Sequence, residues 1–234
     1  MNKLTLEPIR QKGGWFLAGA DDTYILGPPD VAFLEVKLHE ERLKLIGLEL
    51  SYPKMKCFIA EEHRNKTYHQ AREATGIAEE IIESESGDIS YGVKAYGVPI
   101  GTKEYIANWL ERKSKKIISN LREISDILDP NTIFPAEIPT RQCLWYQILT
   151  CFQFKGNYFV RHTPPQFTES LCDQIDSEIN IMIVKCFQID FSTLSPFIQK
   201  RINLPIKLGG IGVRQLRKLR WSEYMGGIVP LLDK

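Results

Sequence analysis

Trp15-Phe16-Leu17-Ala18-Gly19-Ala20-Asp21-Asp22-Thr23-Tyr24-Ile25-Leu26 sets two short aromatic and β-branched runs on either side of Gly19-Ala20-Asp21-Asp22. Side chains of the first kind favour strands, and small or acidic residues favour tight turns, so the stretch predicts a β-hairpin with an acidic tip. Gly27-Pro28-Pro29-Asp30 stops the second strand and offers an N-cap. Val31, Leu34, Leu38 and Leu45 then share one helical stripe, while Glu35, Glu40, Arg42 and Lys44 lie largely off it. An amphipathic helix over 31–46, ending at Gly47, is the expectation.

Moving outward, a third strand is expected at Leu48–Leu50 or, after Pro53, at Met55–Ala60. The signal weakens from Glu61 to Ser90, where Tyr68–Ser84 fits a helix running into an acidic segment, Glu83–Asp88. After Gly97-Val98-Pro99-Ile100-Gly101 every periodic segment is helical. Ile106, Leu110, Lys113, Ile117, Leu121, Ile124 and Leu128 recur at three- and four-residue steps and predict one long helix, with Arg112, Lys115, Lys116 and Arg122 on its other face. Helices also fit 140–154, 166–187, 195–203 and 213–225, with Gly209-Gly210-Ile211-Gly212 as an interruption. The reading is therefore α+β, with a mixed part at 1–101 and an all-helical part at 102–234.

The 234 residues are 43% hydrophobic and 25% charged, which excludes fibrous and disordered classes and allows a sizeable core. Thirty basic residues against 29 acidic ones give a net charge of +1, so any affinity for nucleic acid must come from a local patch. No apolar run is long enough to span a bilayer, and residues 1–12 lack the layout of a signal peptide, so an intracellular protein, nuclear or cytoplasmic, is expected. Cys57, Cys143, Cys151, Cys172 and Cys186 lie in apolar periodic segments without C-x-x-C pairs and read as reduced core residues.

Two adjacent acids at a hairpin tip carry the most chemistry. Paired carboxylates suit Mg²⁺, although Asp-Asp is also ordinary turn chemistry. The context extends further: Ala20-Asp21-Asp22 between apolar strands, then Gly47-Leu48-Glu49-Leu50-Ser51-Tyr52-Pro53-Lys54, then Tyr96-Gly97-Val98-Pro99-Ile100-Gly101. This series resembles successive palm motifs of non-LTR (LINE-like) retroelement reverse transcriptases. Leu144-Trp145 to Tyr158, Arg161 with Pro164-Pro165, and Leu204-Pro205 followed by Gly209-Gly210-Ile211-Gly212-Val213-Arg214 are similar to the thumb and following region of the same elements.

The resemblance implies a palm remnant at 1–101, a thumb-like region at 102–234, and RNA-directed DNA synthesis as the parent nucleotidyltransferase activity. It implies that Asp21 and Asp22 share Mg²⁺ or Mn²⁺ with a third aspartate from a preceding strand, and that Lys54 lies near the incoming nucleotide's phosphates. Gly19 stands where the family usually has Tyr or Phe, and Ser51 where it has Asn. Only twenty residues precede Asp21, so the expectation is the C-terminal half of a polymerase, binding metal weakly and inactive alone.

From Phe191 to Ser222 the chain carries Lys200, Arg201, Lys207, Arg214, Arg217, Lys218 and Arg220 with no acid. Seven positive charges could grip the phosphates of a template–primer duplex, or they could form a solvated helix face. Lys113, Lys115 and Lys116 are a weaker version. The alternative readings are a non-enzymatic nucleic-acid-binding protein and a protein-interaction remnant that complements a separate polymerase half, with no membrane partner. Cys57, His63 and His69 lack a fourth ligand for zinc, and His162 reads as a surface loop residue.

Overall fold

The computed structural model describes residues 11–19, 22–127, 140–190 and 193–232. The protein is α+β, and it divides into two compact units, Met1–Ile106 and Ala107–Lys234.

In the first unit, β1 (Trp15–Gly19) and β2 (Asp22–Leu26) form the antiparallel hairpin, with Gly19 opposite Asp22 and Trp15 opposite Leu26. Strand alternation sends Phe16 and Ile25 to one face. This face meets α1 (Pro29–Lys44): the Phe16 ring lies edge-on to His39 at 5.1 Å, and Ile25 packs against the core of Phe33, Val36, Tyr68 and Ile77. Trp15, Leu17 and Leu26 occupy the opposite face and stay 56%, 46% and 49% exposed.

Helix α1 begins with Pro29 at a position that its fixed φ suits, rather than with a side-chain cap. Its expected stripe needs correction. Phe33, Glu35 and Val36 are buried, whereas Leu34, Leu38 and Leu45 are exposed. Glu35 is tolerated inside because Arg42, two turns on, reaches its carboxylate at 2.5 Å. The helix is thereby free to turn its Phe33 side to the core.

The helix expected over 68–84 is a helix and a strand. Helix α2 (Lys66–Thr75) starts where the Asn65 side chain accepts the Tyr68 amide at 3.0 Å, and stops at Gly76 with φ 69°. A four-stranded sheet follows in the order β3 (Lys56–Cys57), β4 (Ala78–Glu83), β5 (Ile89–Ala95) and β6 (Val98–Gly101). β3 runs parallel to β4, and the other pairs are antiparallel. Of the two sites offered for the third strand, the later one forms, and only over two residues.

Gly92 faces Gly101 across β5 and β6, and the ring of the fully buried Tyr105 lies against the pair. Tyr105 sits in the first turn of α3 (Lys103–Ile127). A methyl group built on Gly92 would come within 2.5 Å of three Tyr105 ring carbons, so both glycines are demanded by close approach.

The second unit has helices and connecting turns but no strand among its described residues. The rest of α3 is followed by α4 (Thr140–Thr150), a 3₁₀ turn at Phe152–Phe154, α5 (Asn157–His162), α6 (Pro165–Phe187), α7 (Pro196–Ile202), a 3₁₀ turn at Ile206–Leu208 and α8 (Leu216–Leu232). The single helix expected over 140–154 breaks at Cys151, whose φ of −129° leaves the helical region. The last helix starts at Leu216 rather than 213, and His162 ends a helix instead of lying in a loop.

Helix α6 is the centre of this unit, burying Leu171, Cys172, Ile175, Ile179, Met182 and Cys186. Leu121 of α3, Leu144 and Ile148 of α4, and Leu216 of α8 close the same core. Polar ties run from α3 to α6: Ser114 donates to Gln174 at 2.7 Å, Arg122 pairs with Glu178 at 2.9 Å, and Lys185 with Asp126 at 3.0 Å. All five cysteines are free thiols, with Cys172 and Cys186 buried and the other three half-buried. Among the described residues no helix is long and apolar enough to cross a membrane.

Candidate functional site

Asp22 opens β2 and is exposed. Asp21, its expected companion, lies outside the described residues. The Tyr24 hydroxyl donates to Asp22 Oδ2 at 3.1 Å, and it accepts the backbone N–H of Tyr96 at 2.8 Å. The two tyrosine rings stand 4.5 Å apart between centroids. Tyr96 and Gly97, with φ of 49° and 78°, are the two residues between the paired Ala95 and Val98. Two successive left-handed residues make the turn whose twist suits a two-residue hairpin.

One phenol therefore fastens the acidic hairpin to the β5–β6 turn. Burial, aided by the neighbouring Asp22 carboxylate, raises the Tyr24 hydroxyl above its ordinary value, while the Tyr96 amide opposes this. The hydroxyl stays a donor to Asp22 at neutral pH.

A divalent cation of the Mg²⁺ type needs several oxygen ligands. Asp22 brings one carboxylate with one oxygen already engaged, and among the described residues no group of three or more His, Cys, Asp or Glu could hold a metal. The described residues do not fit a complete Mg²⁺ or Mn²⁺ site.

Lys54 closes a 3₁₀ turn, Tyr52–Lys54, and is exposed. The turn is held to α1 by Tyr52, whose hydroxyl donates to Glu40 at 2.8 Å. Neither a hydrogen bond nor an ion pair joins Lys54 to Asp22. Cys57 faces the Tyr68 hydroxyl at 3.7 Å, and burial pushes its thiol up, as expected of a packed residue rather than a metal ligand.

The seven basic residues of the C-terminal stretch separate into two groups. Arg214 pairs with Glu223 and stands over the Phe154 ring at 5.5 Å. Arg217 meets Asp173 at 3.0 Å and Glu169 at 3.3 Å, and Arg220 meets Glu169 at 3.1 Å. Asp176 accepts the backbone amides of Leu216 and Arg217 at 2.9 and 3.0 Å and so caps α8 from a distance in sequence. Burial raises the Asp176 carboxyl despite those two bonds. The expectation that all seven charges are uncompensated is thus corrected for these three arginines, because the balancing acids lie on α6 and further along α8.

Lys200, Arg201, Lys207 and Lys218 form the other group, all exposed, and none of them makes an ion pair among the described residues. In the weaker basic cluster, Lys115 pairs with Glu111 at 3.2 Å and Lys113 lies over the Trp109 ring at 5.0 Å. Sequence reasoning missed Tyr24 and Tyr96 as site residues. A tyrosine two positions after the acidic pair, and another opening a Tyr-Gly turn, were the available signals. Neither a family model, nor a curated protein, nor a solved structure matches the chain.

Proposed function

We propose that the chain is a portion of a non-LTR retroelement reverse transcriptase, an RNA-directed DNA polymerase. Residues 1–101 would be the end of its palm and 102–234 its thumb-like region. The observation that carries this reading is the Tyr24 hydroxyl, which bridges Asp22 and Tyr96 and so joins two motifs of the resemblance that lie far apart in sequence. Asp21 and Asp22 are proposed as two of the metal-binding carboxylates, and Lys54 as the phosphate neighbour.

Because no third carboxylate gathers at Asp22 among the described residues, the isolated chain is expected to hold a template–primer duplex without extending it. Mg²⁺ or Mn²⁺ would then bind weakly. The reading carries an intracellular location with it, nuclear or cytoplasmic, where such templates are found.

A second reading, a remnant that complements a separate polymerase half, is favoured by one observation. Leu17 and Leu26, on the hairpin face turned away from α1, are 46% and 49% exposed.

Primer extension on an RNA template, combined with anisotropy of an RNA–DNA hybrid over a salt series, tests both readings. Hybrid binding that weakens steeply with salt, without extension, is the expected result. Extension that disappears in Asp22→Ala would restore the full enzyme, and absence of hybrid binding would leave the complementing remnant. Calorimetry with Mn²⁺ should give at most millimolar affinity; a micromolar site lost in Asp21→Asn would mean that the chain completes its own metal site.

A further inference from the structure

Phe197, Lys200 and Arg201 stand at i, i+3 and i+4 on α7 and therefore share one face. Phe197 is 71% exposed, and in the adjoining 3₁₀ turn Ile206 and Leu208 are 67% and 60% exposed on either side of Lys207. Backbone bonds close this turn onto the helix: Leu204 N–H to Arg201 O at 3.0 Å and Ile211 N–H to Ile202 O at 3.1 Å. Arg201 adds a bond from its Nε to the Gly209 carbonyl at 3.1 Å. Gly210 leaves no room for a side chain, since a methyl there would overlap the Leu204 carbonyl and sit 2.6 Å from the Arg201 carbonyl. The segment is thus a closed backbone platform that carries an exposed aromatic ring and three cations.

We infer that this platform, and not the arginines of α8, is where the second unit grips a single-stranded polynucleotide. Phe197 stacks on a base, and Lys200, Arg201 and Lys207 meet successive phosphates. The inference rests on the nucleic-acid reading proposed above and names the strand and the residues.

Three features favour this occupant. Lys200, Arg201 and Lys207 are exposed and make no ion pair among the described residues, so their charges complement a polyanion. Arg214, Arg217 and Arg220 are already engaged by Glu223, Asp173 and Glu169. An exposed aromatic ring finds a partner in an unstacked base, which a single strand offers and a duplex does not. An anionic membrane would also attract the cations. However, α7 is only about 10 Å long, far shorter than the helices that bury an apolar face in a lipid surface.

The test uses the full chain and a fluorescein-labelled 12-mer of deoxythymidine, with an RNA–DNA hybrid and anionic vesicles in parallel. Phe197→Ala should weaken single-strand binding by about tenfold or more and leave hybrid binding unchanged. Replacing Lys200 and Lys207 together by Gln should lower the slope of log affinity against log salt for the single strand by about 1.4, from two lost phosphate contacts. All three side chains are exposed, so circular dichroism should show an unchanged fold. Wild-type single-strand affinity and slope in both variants would overturn the inference while hybrid binding keeps the proposed function standing. Vesicle binding without single-strand binding would overturn it in favour of a lipid surface, and failure of both nucleic acids would remove the inference together with the reading beneath it.

Discussion

Substituting Gly92 by Ala tests how tightly the sheet and the first turn of α3 are fitted. The added methyl would lie within 2.5 Å of Cγ, Cδ1 and Cε1 of Tyr105, whereas carbon atoms rest about 3.5–4.0 Å apart. The ring must retreat by about 1 Å or more. It has no solvent side to move into, because Tyr105 is fully buried. Overpacking of this kind costs about 1–3 kcal/mol, partly offset by the roughly 0.5–1 kcal/mol that Ala gains over Gly in a strand interior. The expected net loss is about 1–2 kcal/mol, read by urea denaturation of the full chain with a signal from the first unit. A cycle with Tyr105→Leu identifies the cause, since removing the ring should shrink the cost of Gly92→Ala to under about 0.5 kcal/mol. Additive losses in the double variant would refute the reasoning and show that the glycine is needed for something other than the ring.

In the second unit, Leu121→Ala should cost about 2–5 kcal/mol because Leu121 is 1% exposed within the core, while Lys115→Ala on the solvent side should stay within about 0.5 kcal/mol. Chemical denaturation gives both, and equal losses would mean that α3 is not one-sided. Burial pushes the Glu223 carboxyl up, but Arg214 and Arg161 outweigh it and hold the group below its ordinary value of 4.5. The contribution of Glu223 is therefore present above about pH 4.5 and lost as pH falls through its lower folded value. Glu223→Gln should cost about 1–2 kcal/mol at neutral pH and flatten the acid limb of the stability profile, and an unchanged limb would show that the two arginines do not favour the ionised form.

The hairpin at 15–26 and the long helices were legible because their signals are local. Alternating apolar residues around an acidic turn, and three- and four-residue apolar spacing, hold whatever the rest of the chain does. Ala78-Glu79-Glu80-Ile81-Ile82-Glu83 was not legible, since Ala and Glu favour helix in isolation. Its strand form comes from pairing with β5, through a turn in which the Ser84 amide bonds to the Asp88 carbonyl at 2.8 Å, and from β3 on the other edge. The buried face of α1 was not legible, because Glu35 reads as a solvent residue and its burial depends on the ion pair with Arg42. Of the candidate site, the acidic pair and the basic stretch could be read directly. The pairing of Arg217 with Glu169 and Asp173 could not, because those acids sit over forty residues away and meet it only when α6 and α8 pack together.

The bond between Tyr24 and Tyr96 also bears on the order of assembly. It closes a loop of 72 residues, whereas β5 and β6 are joined through only the two residues Tyr96 and Gly97. Chain closure grows costlier with the logarithm of loop length, so fixing the long loop costs about 2.5 kcal/mol more than a four-residue turn. The β4–β5–β6 ribbon, built from near neighbours, is expected to form before β2 is fastened to it. The placing of Asp22 by Tyr24 is therefore expected to follow, not precede, formation of that ribbon.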